Sequence, residues 1–190
     1  MNFKMRIVLI LAIWLMFSVQ AQAIILGFNP SSQNVTVGSL FDVEAVISGL
    51  GDTTTPSLAA FEFDINYDSA IFYLASVVTG NELGNSLFTL SSSSGGATLT
   101  ETSLESASYL DMNQPSSFTL ATFTFMALSA GTSPLSFSNV DLTLTNSLDD
   151  SLSTEVNSGL ISAQNIPEPA TLVLMGLGLV GIGYRRRKAA

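Results

Sequence analysis

Carboxylates are the main side chains that the central part of this chain offers for acid–base or metal chemistry. All but one of the 15 acidic residues lie between Asp42 and Glu155, and the sequence contains no His and no Cys. The six Lys and Arg residues all lie outside this stretch, at positions 4, 6 and 185–188. Ser–His triads, thiol nucleophiles and Schiff-base lysines are therefore excluded from the central region.

A carboxylate cluster at 64–68 has part of the spacing of a calcium loop. Asp64, Asn66 and Asp68 match positions 1, 3 and 5 of an EF-hand, but Ser69 replaces the glycine of position 6 and Ala75 the glutamate of position 12. The same residues alternate with apolar ones, which predicts the solvated face of a strand. We therefore predict no metal and no other cofactor. The alternative calcium ligands are these two aspartates and an adjacent pair in a polar turn: Asp64, Asp68, Asp149 and Asp150.

Carboxylates alone can also hydrolyse a glycoside, if two of them face each other across the scissile bond. Nothing in the sequence marks such a pair among the 14 carboxylates of residues 24–166, so we predict no catalytic residue. Exposed aromatic rings could hold a sugar by stacking, and Phe72, Tyr73 and Tyr109 are the candidates, with core packing as the alternative. The only tryptophan, Trp14, lies near the N-terminus.

A G-x-G-x-x-G pattern at Gly176, Gly178 and Gly181 has the spacing of a dinucleotide-binding loop. Such a loop needs an acidic residue about 20 positions further on, whereas only nine residues follow here. We interpret these glycines as part of an apolar segment.

The elements that must position these side chains are strands. In the stretch 59–68, Phe61, Phe63 and Ile65 alternate with polar and acidic residues, which is the period of two of a half-buried strand. Phe61, Phe63 and Phe125 are predicted core residues. Further strands are predicted at 35–37, 40–47, 71–78, 97–102, 118–128, 135–138, 140–145 and 159–163. Many short strands separated by Gly, Pro, Ser and Asn indicate an all-β sandwich.

The N-terminus has the pattern of a secretory signal peptide. Lys4 and Arg6 precede an apolar stretch at 7–19, and Ala21 and Ala23 form a small-x-small cleavage site. An uncleaved membrane anchor is the alternative. The body that follows has 14 carboxylates and no cation, so it cannot replace the counterions of phosphates, and nucleic-acid binding is excluded.

The C-terminus has three ordered parts: a Pro-Glu-Pro motif, an apolar run and a basic cluster. The run at 171–184 has fourteen residues, whereas a bilayer-spanning helix needs about 20. The cluster favours a cytoplasmic C-terminus. The defining residues are Pro167, Glu168, Pro169, Arg185, Arg186 and Arg187.

This C-terminus resembles the PEP-CTERM sorting signal of Gram-negative bacteria. The resemblance implies processing by an inner-membrane exosortase, and a role in the cell envelope, in exopolysaccharide production or in the biofilm matrix. An ordinary C-terminal anchor is the alternative.

The body is similar to cohesin domains, over the stretches 31–50, 58–80 and 118–143. Ser69 stands where the family often has Pro after the Tyr-Asp pair. The resemblance implies a jelly-roll β-sandwich of about nine strands, related in fold to carbohydrate-binding modules. It also implies a binding role, toward a dockerin-bearing protein or a polysaccharide. No dockerin-contact motif carries over residue by residue, so the ligand-binding residues are unknown.

We therefore expect a signal peptide at 1–23, a cohesin-like domain at 24–163, and a linker with the sorting signal at 164–190. The expected function is that of an exported, non-catalytic binding module. It would be held at the inner membrane through its short C-terminal transmembrane segment and then sorted to the envelope or extracellular matrix. The alternatives are a structural matrix protein without a specific ligand and a carboxylate-only glycosidase.

Overall fold

The computed structural model describes residues 23–145, 154–165 and 174–177. Within these ranges, the sandwich consists of eleven strands and one short helix, and residues 174–177 are helical. The elements are β1 (Ile24–Asn29), β2 (Ser32–Thr36), β3 (Leu40–Ser48), β4 (Leu58–Asn66), β5 (Phe72–Thr79), β6 (Ser86–Ser93), β7 (Gly96–Ser103), α1 (Ala107–Asn113), β8 (Ser117–Ala127), β9 (Gly131–Leu144), β10 (Thr154–Val156) and β11 (Gly159–Gln164).

The strands form two sheets. One sheet has five strands in the order β10-β1-β3-β8-β5, and the other has six in the order β2-β11-β9-β4-β7-β6. Neighbouring strands are antiparallel except for β1 with β10 and β2 with β11, which are parallel. The predicted all-β sandwich is confirmed.

The core lies between the sheets and is built largely from aromatic rings. Phe61 and Phe63 of β4 and Phe125 of β8 are fully buried, which confirms the core prediction. Tyr67 follows β4 and meets Phe125 edge-on, with 5.1 Å between ring centroids, so rings from the two sheets interlock. Edge-to-face pairs of this kind stabilise a core beyond the area that they bury.

The structure has eleven strands where the resemblance implies about nine, and β1, β6 and β10 are not among the strands predicted from the sequence pattern. The parallel edge strands β2 and β10 have only five and three residues. The strand β6 is rich in serine and almost wholly exposed, so it shows no alternation. The stretches 135–138 and 140–145 belong to one strand, β9, whose pairing with β4 shifts register between Glu62 and Asp64.

The helix α1 occupies a region for which the sequence pattern predicts neither a strand nor a helix. Ser106 is its N-cap, and the Ser106 hydroxyl accepts a hydrogen bond from the backbone N–H of Tyr109. Gln114, at the C-cap, connects the helix to the start of β4.

The residues of the sorting signal (Pro167, Glu168, Pro169, Arg185, Arg186, Arg187), Ala21, Asp149 and Asp150 lie outside the described ranges. The predictions made for them stay predictions. Ala23 lies directly before β1. In the ranges that are described, no helix has the length and apolarity needed to cross a membrane.

Candidate functional site

The outer face of strands β4, β7 and β9 concentrates carboxylates. The alternation of β4 turns its phenylalanines toward the core, so Glu62 and Asp64 point outward. Asp141 of β9 lies directly opposite Glu62 on the neighbouring strand. We call the surface formed by Glu62, Asp64 and Asp141, with Thr98 and Thr100 of β7, the acidic face.

The acidic face is held by hydrogen bonds to hydroxyl and amide groups instead of by cations. Thr98 donates from Oγ1 to Asp64 Oδ1 at 2.6 Å, and Asn139 donates from Nδ2 to Asp64 Oδ2. Thr100 donates from Oγ1 to Glu62 Oε2 at 3.3 Å. No Lys, Arg or His occurs in the part of the chain that the structure describes. Like charges directly opposite each other on neighbouring strands destabilise a sheet, so the Glu62–Asp141 pair carries an uncompensated electrostatic cost.

A shallow depression of about 170 Å³ adjoins the acidic face at the end of β4. Asp64 and Thr98 line it on one side, and Asn66, Ser91 and Ser93 complete its polar lining. Asn66 is fixed there by a hydrogen bond from its Nδ2 to Ser138 Oγ at 2.8 Å. The depression therefore extends the hydrogen-bonding surface of the acidic face beyond the carboxylates.

The structure does not bring the candidate calcium ligands Asp64 and Asp68 into one cluster. Asp64 belongs to the acidic face, whereas Asp68 Oδ1 accepts a hydrogen bond from the backbone N–H of Ala70 at 2.8 Å and stabilises the turn before β5. Within the described ranges, no three His, Cys, Asp or Glu residues are grouped so that they could hold a metal ion.

Glu101 is a carboxylate that the sequence analysis did not single out. It lies on the inner face of β7, between Phe61 and Phe88 on the neighbouring strands, and is only 2% exposed. Burial raises the pKa of the Glu101 carboxyl, and the hydrogen bond from Ser86 Oγ at 2.6 Å opposes that shift. The apolar residues that alternate with Thr in β7 indicate its inward position, because Glu101 follows Ala97 and Leu99 at a spacing of two.

The candidate stacking aromatics are in different environments. Phe72 is buried, so its ring serves the core, whereas Tyr73 and Tyr109 are 56% and 43% exposed. Phe72 and Tyr73 line one cleft at the edge of the sandwich. Tyr109 lies on α1 and is not part of that cleft.

Comparison with known proteins identifies the sandwich. Residues 28–163 match the family model of the cohesin domain. The chain belongs to the cohesin family. Residues 165–188 of this cohesin match the model of the PEP-CTERM protein-sorting motif. The search of curated proteins found no match.

Solved cohesin structures share the fold at low sequence identity. The solution structure of the cohesin CaCohA2 from Clostridium acetobutylicum has a TM-score of 0.58 at 20% identity, covering 77% of this chain and 94% of that one. A type I cohesin–dockerin complex from Clostridium thermocellum has a TM-score of 0.59 at 14% identity, covering 75% and 98%. A non-cellulosomal cohesin from the archaeon Archaeoglobus fulgidus has a TM-score of 0.55 at 13% identity, covering 78% and 94%.

Proposed function

We propose that this cohesin is an exported, non-catalytic binding module whose acidic face holds a protein partner with a dockerin-like segment. The observation that carries the proposal is the uncompensated Glu62–Asp141 pair on the outer face of the six-stranded sheet. A partner that places Lys or Arg between these carboxylates removes the repulsion and forms charge-assisted hydrogen bonds. The related cohesin from Clostridium thermocellum was solved in complex with a dockerin, which supports this class of partner.

The acidic face suits binding better than catalysis. Glycoside hydrolysis needs one carboxyl group that stays protonated as a general acid, usually through burial, beside a second that is ionised. Glu62 and Asp141 are both exposed side chains on an open sheet surface. Glu101 has the buried environment of such an acid, but it points into the core on the other side of its sheet.

The test measures the affinity of the purified full-length chain for a panel of dockerin modules, including that of the Clostridium thermocellum complex, by calorimetry at low and high salt. The double variant Glu62→Gln/Asp141→Asn should weaken binding at least about tenfold, since removing charged partners at an interface typically costs more than 1.4 kcal/mol. Glu44→Gln, a carboxylate on β3 of the other sheet, is the matched control and should leave affinity unchanged. Equal affinity of the double variant and the wild type would contradict the proposal.

We further propose that the C-terminal signal directs this module from the inner membrane to the envelope or extracellular matrix after processing by an exosortase-type enzyme. The signal peptide at 1–23, the module at 24–163 and the sorting segment at 164–190 are the parts of this route. The match of 165–188 to the sorting-motif model supports it.

Processing at Pro167-Glu168-Pro169 predicts that the exported protein lacks the segment from Thr171 onward. Glu168→Ala should give an uncleaved form of higher mass in the inner-membrane fraction. Replacing Arg185, Arg186 and Arg187 by Ser should disturb topology or processing, because these charges orient the segment. Intact mass and fractionation are the measurements. Wild-type extracellular protein that retains residues 184–190 would contradict sorting.

A further inference from the structure

A cleft of about 380 Å³ lies at one edge of the sandwich. It lies between β5, the edge strand of the five-stranded sheet, and the end of β6 with the turn that joins β6 to β7. Its lining combines the aromatic residues Tyr67, Phe72 and Tyr73 with Leu74 and four serines. A concave site of this volume, lined by equal numbers of serines and of aromatic or aliphatic side chains, has the size of a small-molecule binding site.

Core packing holds the floor of the cleft in place. Phe72 is 1% exposed and contacts the ring of Phe41 edge-on, with 5.2 Å between centroids. The ring of Tyr67 is held in the same way against Phe125. Burial raises the pKa of the Tyr67 hydroxyl, so the phenol is neutral and can donate a hydrogen bond at physiological pH. The floor is therefore formed before any ligand binds.

The end of β6 and the turn that joins it to β7 supply hydroxyl groups on the opposite side of the cleft. Gly95 has φ of +84°, and a Cβ there would lie 3.1 Å from the backbone oxygen of Tyr67, so glycine permits both the turn and its close approach. The backbone N–H of Tyr67 donates to the Gly95 oxygen at 3.0 Å and ties the turn to β4. The Ser92, Ser93 and Ser94 hydroxyls are exposed and make no hydrogen bond to other described residues, which leaves them available to a ligand.

The chemistry of this lining selects against charged ligands. No Asp, Glu, Lys, Arg or His lines the cleft, and the described part of the chain holds no cation that could attract an anionic group. No carboxylate lines the cleft to bind a metal or an amine. The lining suits a ligand that has an apolar face for the exposed Tyr73 ring and hydroxyls for the serines and Tyr67. A pyranose ring has both features.

We propose that this cleft binds a neutral sugar residue of an oligosaccharide, with Tyr73 covering one face of the ring and Ser92, Ser93 and Ser94 binding its hydroxyls. The cleft shares Ser93 with the depression beside the acidic face, but Glu62, Asp64 and Asp141 do not line it. Sugar binding therefore does not depend on the dockerin-type partner proposed for the acidic face. Substituting Glu62 and Asp141 should therefore leave sugar binding unchanged.

The experiment is calorimetric titration of the full-length chain with cellobiose, maltose, lactose and, as an anionic comparison, glucuronic acid. At least one neutral disaccharide should bind in the millimolar range, and glucuronic acid should not. Tyr73→Ala should weaken binding at least about tenfold by removing the stacking ring. Tyr67→Phe keeps the ring against Phe125 and removes only the hydroxyl, so it should weaken binding less but measurably.

The matched control is Tyr109→Ala, an exposed tyrosine outside the cleft, which should bind like the wild type. Melting temperatures of all variants check that each is folded. Three results would overturn the proposal: no binding of any neutral disaccharide, preference for glucuronic acid, or equal losses in Tyr73→Ala and Tyr109→Ala.

Discussion

Adjacent residues of β4 have opposite roles. Phe63 is fully buried between the sheets, where it stacks on Phe61 with 5.2 Å between ring centroids, and Glu62 lies on the acidic face. The pleat of the strand alone produces this division, because successive side chains point to opposite faces. Stability at the one position and recognition at the other can therefore be tested separately.

Phe63→Ala should lower the free energy of unfolding by about 3–5 kcal/mol, through lost apolar burial and the cavity left behind. Glu62→Ala should change it by less than about 0.5 kcal/mol, and in the stabilising direction, because it relieves the repulsion with Asp141. Urea denaturation of both variants measures the two effects. Comparable losses would mean that the register of β4 is wrong.

Glu101 makes stability depend on pH in a direction opposite to that of most carboxylates. Because burial raises its pKa in the folded state, its stability contribution is fully present below the usual pKa of glutamate and is lost as pH rises through the raised value. Glu101→Gln imitates the protonated form. The free energy of unfolding of this variant, relative to wild type, should therefore increase between about pH 4 and pH 7.

Urea denaturation at the two pH values is the measurement for Glu101. Glu155→Gln, at an exposed position of β10, is the control and should show little change relative to wild type at either pH. A relative stability of Glu101→Gln that falls with rising pH would contradict the assigned cause.

At the scale of elements, one buried amide connects α1 to the sheet. Gln114 is fully buried, its Oε1 accepts from the Leu58 N–H at 2.7 Å, and its Nε2 donates to the Leu58 oxygen at 2.8 Å and to the Glu82 oxygen at 3.1 Å. The Gln114 amide thus pairs with both the N–H and the carbonyl oxygen of Leu58, as the backbone of a neighbouring strand would. It also joins the loop before β6 to the same point.

Gln114→Leu keeps the volume and removes these hydrogen bonds. Each buried backbone group left unpaired costs about 1–3 kcal/mol, so we expect a loss of at least about 2 kcal/mol in the free energy of unfolding. Gln164→Leu makes the same chemical change at an exposed position of β11 and should be nearly neutral. Similar denaturation midpoints for the two variants would mean that the buried contacts are not formed.

For the whole molecule, uncompensated negative charge is the dominant electrostatic feature. The 14 carboxylates between Asp42 and Glu155 have no cation among the described residues to oppose them. A net charge far from zero keeps a protein soluble but destabilises the compact state through self-repulsion. Salt ions screen this repulsion and thereby change its contribution to the free energy of unfolding.

Sodium chloride should therefore raise the melting temperature, because the screening length falls from about 10 Å at 0.1 M to about 3 Å at 1 M salt. Calcium chloride at matched ionic strength should do no more than sodium chloride. Differential scanning calorimetry in the two salts checks both statements. A calcium-specific rise at micromolar concentration would contradict the second statement and would point to Asp64, Asp68, Asp149 and Asp150.

Hydrophobic alternation and turn residues were enough to predict the two-layer β-sandwich and its central strands. The period of two in β4 also identified Phe61 and Phe63 as core residues and Glu62 and Asp64 as surface residues. These properties are local, since they depend on the pleat and on which side chains avoid water. A count of residues is enough to show that the body has no basic side chains. Nucleic-acid binding is excluded on that ground alone.

Only the tertiary structure decided which carboxylates meet. Glu62 and Asp141 are far apart in the chain, and their pairing depends on the register of β4 against β9, which includes a shift beside Asp64. The burial of Glu101 depends on β7 lying between β4 and β6, and the cleft arises where β5 and β6, the edge strands of the two sheets, come together. Alternation determines which face a side chain occupies, whereas strand order and register determine its neighbours, because these are set by contacts distant in sequence.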